Sequence, residues 1–216
     1  MRFKSEVISL LINPGIIAVV RAQKREQVVP LTEALVQGGV IAVEITMTTP
    51  QAIEAISEAT QHFGSRALIG VGTVLDGKTC RTAIQAGAEF VVSPITKAEI
   101  VEAAHAVDRP VMLGAYTPTE AQTAHELGAD FVKLFPADGL GPSYIKALRA
   151  PLPHLKIVPT GGVDLNTAAD FIKAGCVALG AGSSLVSAKL LQEAKWPEIT
   201  RLAQEFVAVV KKARGR

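Results

Sequence analysis

The feature of this sequence that most constrains its fold is a repeat in which a helical pattern ends at a glycine and an apolar run follows. The copies start at Gly38, Gly87, Gly128 and Gly175, at intervals of 41 to 49 residues. A glycine just past a helix takes the left-handed conformation without steric cost. Another strand-like run lies between successive copies, and one more precedes the first. The predicted strands fall in the glycine-led runs 38–44, 87–92, 128–133 and 175–179, in the runs 67–71, 111–113 and 156–158 between them, and in 16–20.

The strand-like runs are short, apolar and β-branched, which is typical of strands buried on both faces of a parallel sheet. Segments with helical periodicity separate them. Eight βα units in 216 residues average 27 residues each, close to the lower size limit of a TIM barrel. We therefore expect a single α/β domain over residues 1–216, a (β/α)₈ TIM barrel with an N-terminal lead-in and a C-terminal helix. A doubly wound open sheet is the alternative. The predicted helices cover 26–37, 50–62, 78–86, 97–107, 118–127, 142–149, 166–174 and 197–213.

Composition excludes several classes of protein. Hydrophobic residues make up 49% of the chain and charged residues 19%, which is enough to bury a large core and excludes a disordered chain. The net charge is +2 with one Trp and two Tyr, so we expect no nucleic-acid partner. No apolar run reaches the roughly 18 residues of a membrane helix, so we expect no membrane partner. Cys80 and Cys176 are too few for a disulfide framework, which favours a reducing cytoplasm. A secretory signal is a weaker alternative, because Asn13 and Pro14 interrupt the N-terminal apolar run.

Lys133 is the most informative polar residue, because it lies inside an apolar strand between Val132 and Leu134. In a TIM barrel the functional site lies at the carboxyl ends of the strands. Loss of water around a lysine amine disfavours the ammonium form, and the neutral amine can attack a carbonyl to form an imine. The alternative is a lysine that reaches solvent at the strand end or pairs with a carboxylate for structure.

Glu44 interrupts a second apolar strand, between Val43 and Ile45. A carboxylate there can act as a general acid or base, directly or through one water. It can also be a structural partner of Lys133 or of Arg21 at the end of strand one. The presence of a reactive lysine favours the chemical interpretation.

Glycine-rich turns follow strands seven and eight, at Gly161-Gly162 and Gly182-Ser183. Phosphate sites of TIM barrels occur at these two positions. We expect Gly182 to open the last βα helix, whose N-terminal amides would attract an anion. The four histidines are dispersed over helices and a loop, without the cluster that a metal-dependent mechanism needs. We therefore expect no metal and no cofactor.

Several short motifs, in order and at matching spacing over nearly the whole chain, resemble the 2-keto-3-deoxy-6-phosphogluconate (KDPG) / 4-hydroxy-2-oxoglutarate (KHG) aldolase family. The resemblance implies a metal-independent class I aldolase with a (β/α)₈ fold, typically a homotrimer, that acts on a small-molecule substrate. The motifs are Val43–Thr46, Gly70–Val74, Val92–Pro94, Thr117–Glu120, Lys133–Pro136, Pro159–Val163 and Gly182-Ser183.

The resemblance also implies roles for individual residues. Lys133 falls on the Schiff-base lysine of the family and Glu44 on its acid/base glutamate. Thr73 matches a residue that binds the pyruvate part of the substrate. Gly161, Gly162 and Ser183 match phosphate contacts, and the substrate-binding candidates Pro94, Thr160 and Gly182 lie in the same motifs.

The chain departs from the family pattern at two positions. Thr48, itself a substrate-binding candidate, stands where some members carry an arginine that holds the pyruvate carboxylate. We predict that Arg21 supplies this positive charge. Leu113 precedes Gly114 where the family often has proline, which concerns the local loop shape and not the chemistry.

The expected activity is therefore a carbon–carbon lyase reaction in which KDPG, a 2-keto-3-deoxy sugar acid phosphate, yields pyruvate and glyceraldehyde 3-phosphate. Cleavage of KHG to pyruvate and glyoxylate is expected as well. The alternatives are an aldolase for the galactonate-series epimer, a phosphosugar isomerase or epimerase on the same barrel, and a barrel that binds a sugar phosphate without turnover. An isomerase would use two acid/base groups and would form no imine with pyruvate.

Overall fold

A computed structural model describes residues 2–215 as eight parallel strands alternating with helices. The sheet order is β7-β6-β5-β4-β3-β2-β1-β8, so β1 pairs with both β2 and β8. A bridge between Thr160 and Gly180 joins β7 to β8 and closes the sheet. The predicted TIM barrel is confirmed. The strands are β1 Ile16–Val20, β2 Ala42–Thr46, β3 Leu68–Gly72, β4 Phe90–Val92, β5 Val111–Ala115, β6 Phe131–Leu134, β7 Ile157–Pro159 and β8 Leu179–Ala181.

The helices surround the barrel and bury one apolar face each against the strands. Pro118 opens α6, where a missing N–H has no cost, and Thr117 and Glu120 form a capping box before it. The helices are α1 Lys4–Ile12, α2 Val28–Gln37, α3 Ala52–Phe63, α4 Gly77–Gln85, α5 Ala98–His105, α6 Pro118–Glu126, α7 Gly141–Arg149, α8 Ala168–Lys173, α9 Ala188–Gln192 and α10 Trp196–Ala213. Within the described residues, no helix combines the length and apolarity needed to cross a membrane.

The last strand begins later than the sequence predicts. The run 175–179 is apolar, but β8 covers Leu179–Ala181. The Cys176 amide still bonds to Phe171 O of α8, and the Arg214 side chain takes the carbonyl of Val177 at 2.6 Å. Regular pairing with β1 therefore starts only at Leu179.

Helix α1 is an element that the sequence analysis does not predict. Its second half, Ile8–Ile12, is apolar apart from Ser9 and leads into the apolar strand β1, so the helical period is hidden in the run before Asn13. The helix lies across the end of the barrel where the strands begin, with Val7 and Leu11 in the same buried cluster as Ile17 and Phe131. The lead-in of the chain therefore closes one end of the barrel.

Ion pairs fix the start of the chain to this closed end. Lys4 Nζ lies 2.9 Å from Asp130 Oδ1, and His105 Nε2 lies 3.0 Å from the other oxygen of Asp130. Arg2 pairs with Glu89 at 2.5 Å. Burial raises the pKa of Glu89 despite this arginine. The pairs hold α1 over the barrel opening.

Both cysteines are free thiols buried between the strands and the outer helices. Burial raises the pKa of Cys80 to about 11 and that of Cys176 to about 12. Both thiols are therefore protonated near neutral pH.

Truncating the α1 contact should reduce stability without affecting the opposite end of the barrel. We expect Leu11→Ala to lower the free energy of unfolding by about 2–5 kcal/mol, because it leaves a cavity beneath α1. Urea unfolding measures the loss, and Ser5→Ala, at an exposed position of the same helix, is the matched control. Equal midpoints for both variants would contradict the account of α1.

Candidate active site

Lys133 and Glu44 meet inside the barrel although they are 89 positions apart in the sequence. They come from β6 and β2, which lie four strands apart in the eight-stranded order and so face each other across the barrel. Lys133 Nζ lies 3.7 Å from Glu44 Oε1, with the side chains 4% and 3% exposed. A primary amine and a carboxylate are thus adjacent in a place that solvent hardly reaches.

One carboxylate oxygen of this pair lacks a hydrogen bond. Glu44 Oε1 is buried and has no hydrogen-bond partner in the structure. Leaving a buried acceptor unpaired costs about 1–3 kcal/mol. Such a cost is typical of a group retained for chemistry and not for stability.

Phe135 covers the amine and connects it to the surface. Its ring centroid lies 5.1 Å from Lys133 Nζ. The same side chain lines two cavities, one at the ends of β7 and β8 and one at the ends of β4 and β5. Phe135 lies within the motif Lys133–Pro136, but its role could not be predicted, because nothing in one sequence shows that two cavities meet at a residue.

The cavity beyond β7 and β8 contains most of the predicted anion-binding residues. Its volume is about 370 Å³. Gly161 and Gly162 have φ values of +91° and +66°, a conformation that favours glycine. The Ser184 hydroxyl donates to Val163 O at 2.6 Å and ties the two glycine-rich turns together. The lining residues are Arg21, Phe135, Thr160, Gly161, Gly162, Val163, Asp164, Gly182, Ser183 and Ser184.

The expectation that Gly182 opens a helix is wrong. Residues 183–185 form a turn in which the amides of Leu185 and Val186 both bond to Gly182 O. Helix α9 begins at Ala188, where the Ser187 side chain caps it. Any anion in this cavity therefore meets the amides of two turns and not the axis of a helix.

Charge in the cavity comes mainly from Arg21. This residue is exposed, and its Nη1 lies 3.7 Å from the position of a Cβ on Gly182. Asp164 also lines the cavity, but its Oδ1 accepts from the amides of Asn166 and Thr167 and is engaged in the turn before α8. Among the described residues that line this cavity, Arg21 therefore supplies the positive charge that can face a ligand.

Thr160 stands at the seam of the barrel with its backbone fully engaged. Its amide donates to Leu134 O at 3.0 Å and its carbonyl accepts from Ala137 at 2.9 Å. A Cβ on Gly180 would overlap the Thr160 hydroxyl, so the absence of a side chain on β8 provides the space for it.

The two threonines after β2 form a chain of hydrogen bonds. Thr46 Oγ1 donates its only proton to Val20 O at 3.0 Å, so Thr48 must be the donor in the 2.8 Å contact between the two hydroxyls. Thr48 therefore offers lone pairs, not a proton, to a ligand. Thr46 was not recognised in the sequence, since its role depends on a carbonyl of the neighbouring strand.

Thr73 and Pro94 occupy the exits of the next two strands. Thr73 has a φ of +59°, which is strained for a β-branched residue and is a feature of functional sites. It directly follows Gly72, the register partner of Thr46. Pro94 lines the second cavity, of about 430 Å³, together with Phe135. The predicted site residues thus lie at the carboxyl ends of the strands, but Thr48 and Thr73 line neither of the two cavities. The other substrate-binding candidates line one or the other: Arg21, Pro94, Thr160, Gly161, Gly162, Gly182 and Ser183.

Comparison with known proteins gives a consistent result. The sequence profile of the family described as "KDPG and KHG aldolase" matches residues 7–202. The chain belongs to the KDPG and KHG aldolase family. The 2-dehydro-3-deoxy-6-phosphogalactonate aldolase of Escherichia coli is 35% identical over 197 residues, which are 91% of this chain and 93% of that one. The 2-dehydro-3-deoxy-phosphogluconate aldolase of Treponema pallidum is 36% identical over 198 residues, 90% of this chain and 93% of that one.

A solved structure of a family member extends the likeness to three dimensions. The KDPG aldolase of Legionella pneumophila, with pyruvate captured as a covalent carbinolamine intermediate, superimposes with a TM-score of 0.82 at 28% identity. The match covers 92% of this chain and 96% of that one. Family membership makes this protein an aldolase, and therefore a lyase.

Removing the charge of Glu44 should slow aldol cleavage. Glu44→Gln keeps the shape of the side chain but cannot accept a proton, and we expect kcat to fall by about 10²–10⁴-fold. Steady-state rates measure the loss, with the exposed Glu102→Gln as the control. A Glu44→Gln enzyme within threefold of the unsubstituted protein would contradict this assignment.

Proposed function

We propose that the protein is a class I aldolase that cleaves KDPG to pyruvate and glyceraldehyde 3-phosphate, and KHG to pyruvate and glyoxylate. The observation that carries this proposal is the buried pair of Lys133 and Glu44 at 3.7 Å. An amine beside a carboxylate in a dry barrel has the groups that imine formation requires.

In the first step Lys133 passes a proton to Glu44, and the resulting neutral amine attacks the C2 ketone of the substrate. The resulting carbinolamine loses water as its hydroxyl is protonated, and an iminium forms between C2 and Nζ. Glu44 is the group close enough to Nζ to take and return these protons.

In the second step the C3–C4 bond breaks. The C4 hydroxyl loses its proton to Glu44 through one water, the C4 oxygen forms a carbonyl, and the bonding electrons move into the iminium to give an enamine. The aldehyde leaves, C3 of the enamine is protonated, and hydrolysis of the new iminium frees pyruvate and Lys133.

The glycine-rich cavity suits the phosphate of the substrate. Backbone amides of Gly161, Gly162 and Ser183 would surround it, and Phe135, whose ring lies beside Lys133, also lines this cavity. Arg21 lines this cavity. We therefore assign its charge to the phosphate end of the substrate, in place of the carboxylate role suggested by the sequence. Thr73 remains the proposed contact of the pyruvate part.

The galactonate-series epimer is a second candidate substrate. The relative of this specificity from Escherichia coli is as similar to the chain as the gluconate-series relative. Thr160, which lines the cavity beside the glycine pair, resembles the gluconate-series pattern at this position and favours KDPG as the first candidate. An isomerase or epimerase has no comparable support, since neither activity requires the Lys133 amine.

A pyruvate-release assay tests this proposal. We expect the highest kcat/KM for KDPG, a lower value for its galactonate epimer and a lower value again for KHG. Lys133→Ala should abolish release from all three, while Lys146→Ala, in α7, should leave it unchanged. A preference for the epimer would favour the second candidate, and no release from any of the three would overturn the proposal.

We further propose that the aldolase is a homotrimer that acts in the cytoplasm. Large apolar side chains are exposed after three successive strands, at Leu75, Ile95 and Tyr116, and a second copy of the chain would cover them. The two free, buried thiols suit a reducing compartment.

Light scattering after size exclusion tests the assembly. We expect a trimer for the unsubstituted protein and a smaller species for Ile95→Asp, because a charge on this surface opposes burial. Leu127→Asp, at an exposed apolar position near the opposite end of the barrel, is the control and should remain a trimer. A monomeric unsubstituted protein would overturn the assembly alone.

A further inference from the structure

The inward face of β3 carries glycine at two successive inward positions, Gly70 and Gly72. Gly70 and Gly72 alternate with Ile69 and Val71, whose side chains belong to the outer core between strands and helices. Neither glycine has a positive φ, so the backbone does not require glycine at either position. The two glycines are therefore explained by what occupies the volume that a side chain at position 70 or 72 would fill.

The space at Gly72 is occupied by the Glu44 carboxylate. A Cβ built on Gly72 would lie 2.6 Å from both Cγ and Cδ of Glu44 and would overlap Oε1. Three atoms of the Glu44 side chain thus occupy the volume that a side chain on Gly72 would need. Glu44 belongs to β2, two residues before Thr46, the register partner of Gly72. Its side chain therefore reaches along the barrel toward the mouth and over β3.

Hydrogen bonds do not determine this orientation. Glu44 Oε1 has no hydrogen-bond partner and is sealed from solvent. Its nearest charged group is Lys133 Nζ at 3.7 Å, longer than a hydrogen bond. The position of the carboxylate is thus determined by steric contacts with its surroundings. One of these constraints depends on a single residue, because the carboxylate occupies the space that a side chain at position 72 would fill.

We propose that Gly72 is the positioning residue for Glu44: it holds the carboxylate beside Lys133 by leaving the adjacent volume empty. The inference rests on the proposed role of Glu44 in proton transfer. Any side chain at position 72 would force the carboxylate to rotate away from the amine, while leaving Lys133, the phosphate cavity and Thr73 in place.

Gly70 provides a matched control on the same face of the same strand. A Cβ there would lie within 2.5 Å of the Phe90 ring, whose carbons are its three nearest atoms. An alanine at 70 therefore disturbs the barrel interior to a similar degree, without displacing the carboxylate.

The consequences of the two substitutions differ in kind. In Gly72→Ala the amine can still form an imine with pyruvate, but proton transfer to and from the substrate loses its nearest group. We expect kcat to fall at least tenfold. The limb of the pH–rate profile that reports Glu44 should shift or disappear. Treatment with pyruvate and borohydride should still modify one site per chain. In Gly70→Ala we expect a lower Tm, with kcat within threefold and an unchanged pH profile.

A double-mutant cycle keeps the test decisive if Gly72→Ala is poorly stable. Glu44→Asp shortens the side chain by one methylene and withdraws it from the Cβ of Ala at 72. The Tm loss of Gly72→Ala should therefore be largely relieved in the Gly72→Ala/Glu44→Asp double variant. Glu44→Asp should give no such relief to Gly70→Ala, whose Cβ meets the Phe90 ring and not the carboxylate.

Three results would overturn the inference: a Gly72→Ala enzyme with kcat within threefold of the unsubstituted protein, an equal loss of kcat and the same pH profile change in Gly70→Ala, or additive Tm losses for Gly72→Ala and Glu44→Asp. Failure of the proposed function is distinguishable, because the unsubstituted protein would then release no pyruvate and would not be modified by borohydride with pyruvate.

Discussion

The structure depends on bringing two opposite charges together in a place where charges are costly to bury. Lys133 and Glu44 are nearly inaccessible to solvent, and each would be strongly destabilising in the barrel without the other. Their meeting requires that β2 and β6 face each other across a closed sheet. In an open sheet with the same strand order, β2 and β6 would be separated by three strands and their side chains could not meet. The contact between Lys133 and Glu44 therefore depends on closure of the barrel.

The two ends of the barrel differ in character: one is packed with apolar side chains and the other contains the candidate active site. At the end where strands begin, α1 and its ion pairs with Asp130 and Glu89 cover a wholly apolar layer. At the other end the interior becomes polar, glycines replace large residues on β3 and β8, and one carboxylate oxygen lacks a partner. The unpaired oxygen of Glu44 and the positive φ of Thr73 therefore both lie at the end where the substrate must enter. Burial of the apolar layer at the other end offsets the free energy that these features cost.

Much of the fold could be predicted from the sequence, because strands buried on both faces appear as continuous apolar runs. In addition, a glycine marks the end of the helix that precedes each of four strands. Lys133 and Glu44 were recognisable for the same reason, since a charge inside such a run has few structural explanations. Helix α1 could not be predicted, because its second half is almost entirely apolar and leads into an apolar strand, which hides the helical period. The roles of Phe135, Thr46 and Gly72 were also beyond the sequence, because each depends on an atom of another strand.

The central claim is that one amine, buried beside one carboxylate, attacks the ketone of the substrate. The most direct measurement is peptide mapping by mass spectrometry after the protein is incubated with pyruvate and reduced with borohydride. The account predicts a single modified peptide, the one that contains Lys133, with modification lost when pyruvate is omitted. An unmodified protein, or a modification on any other lysine, would contradict it.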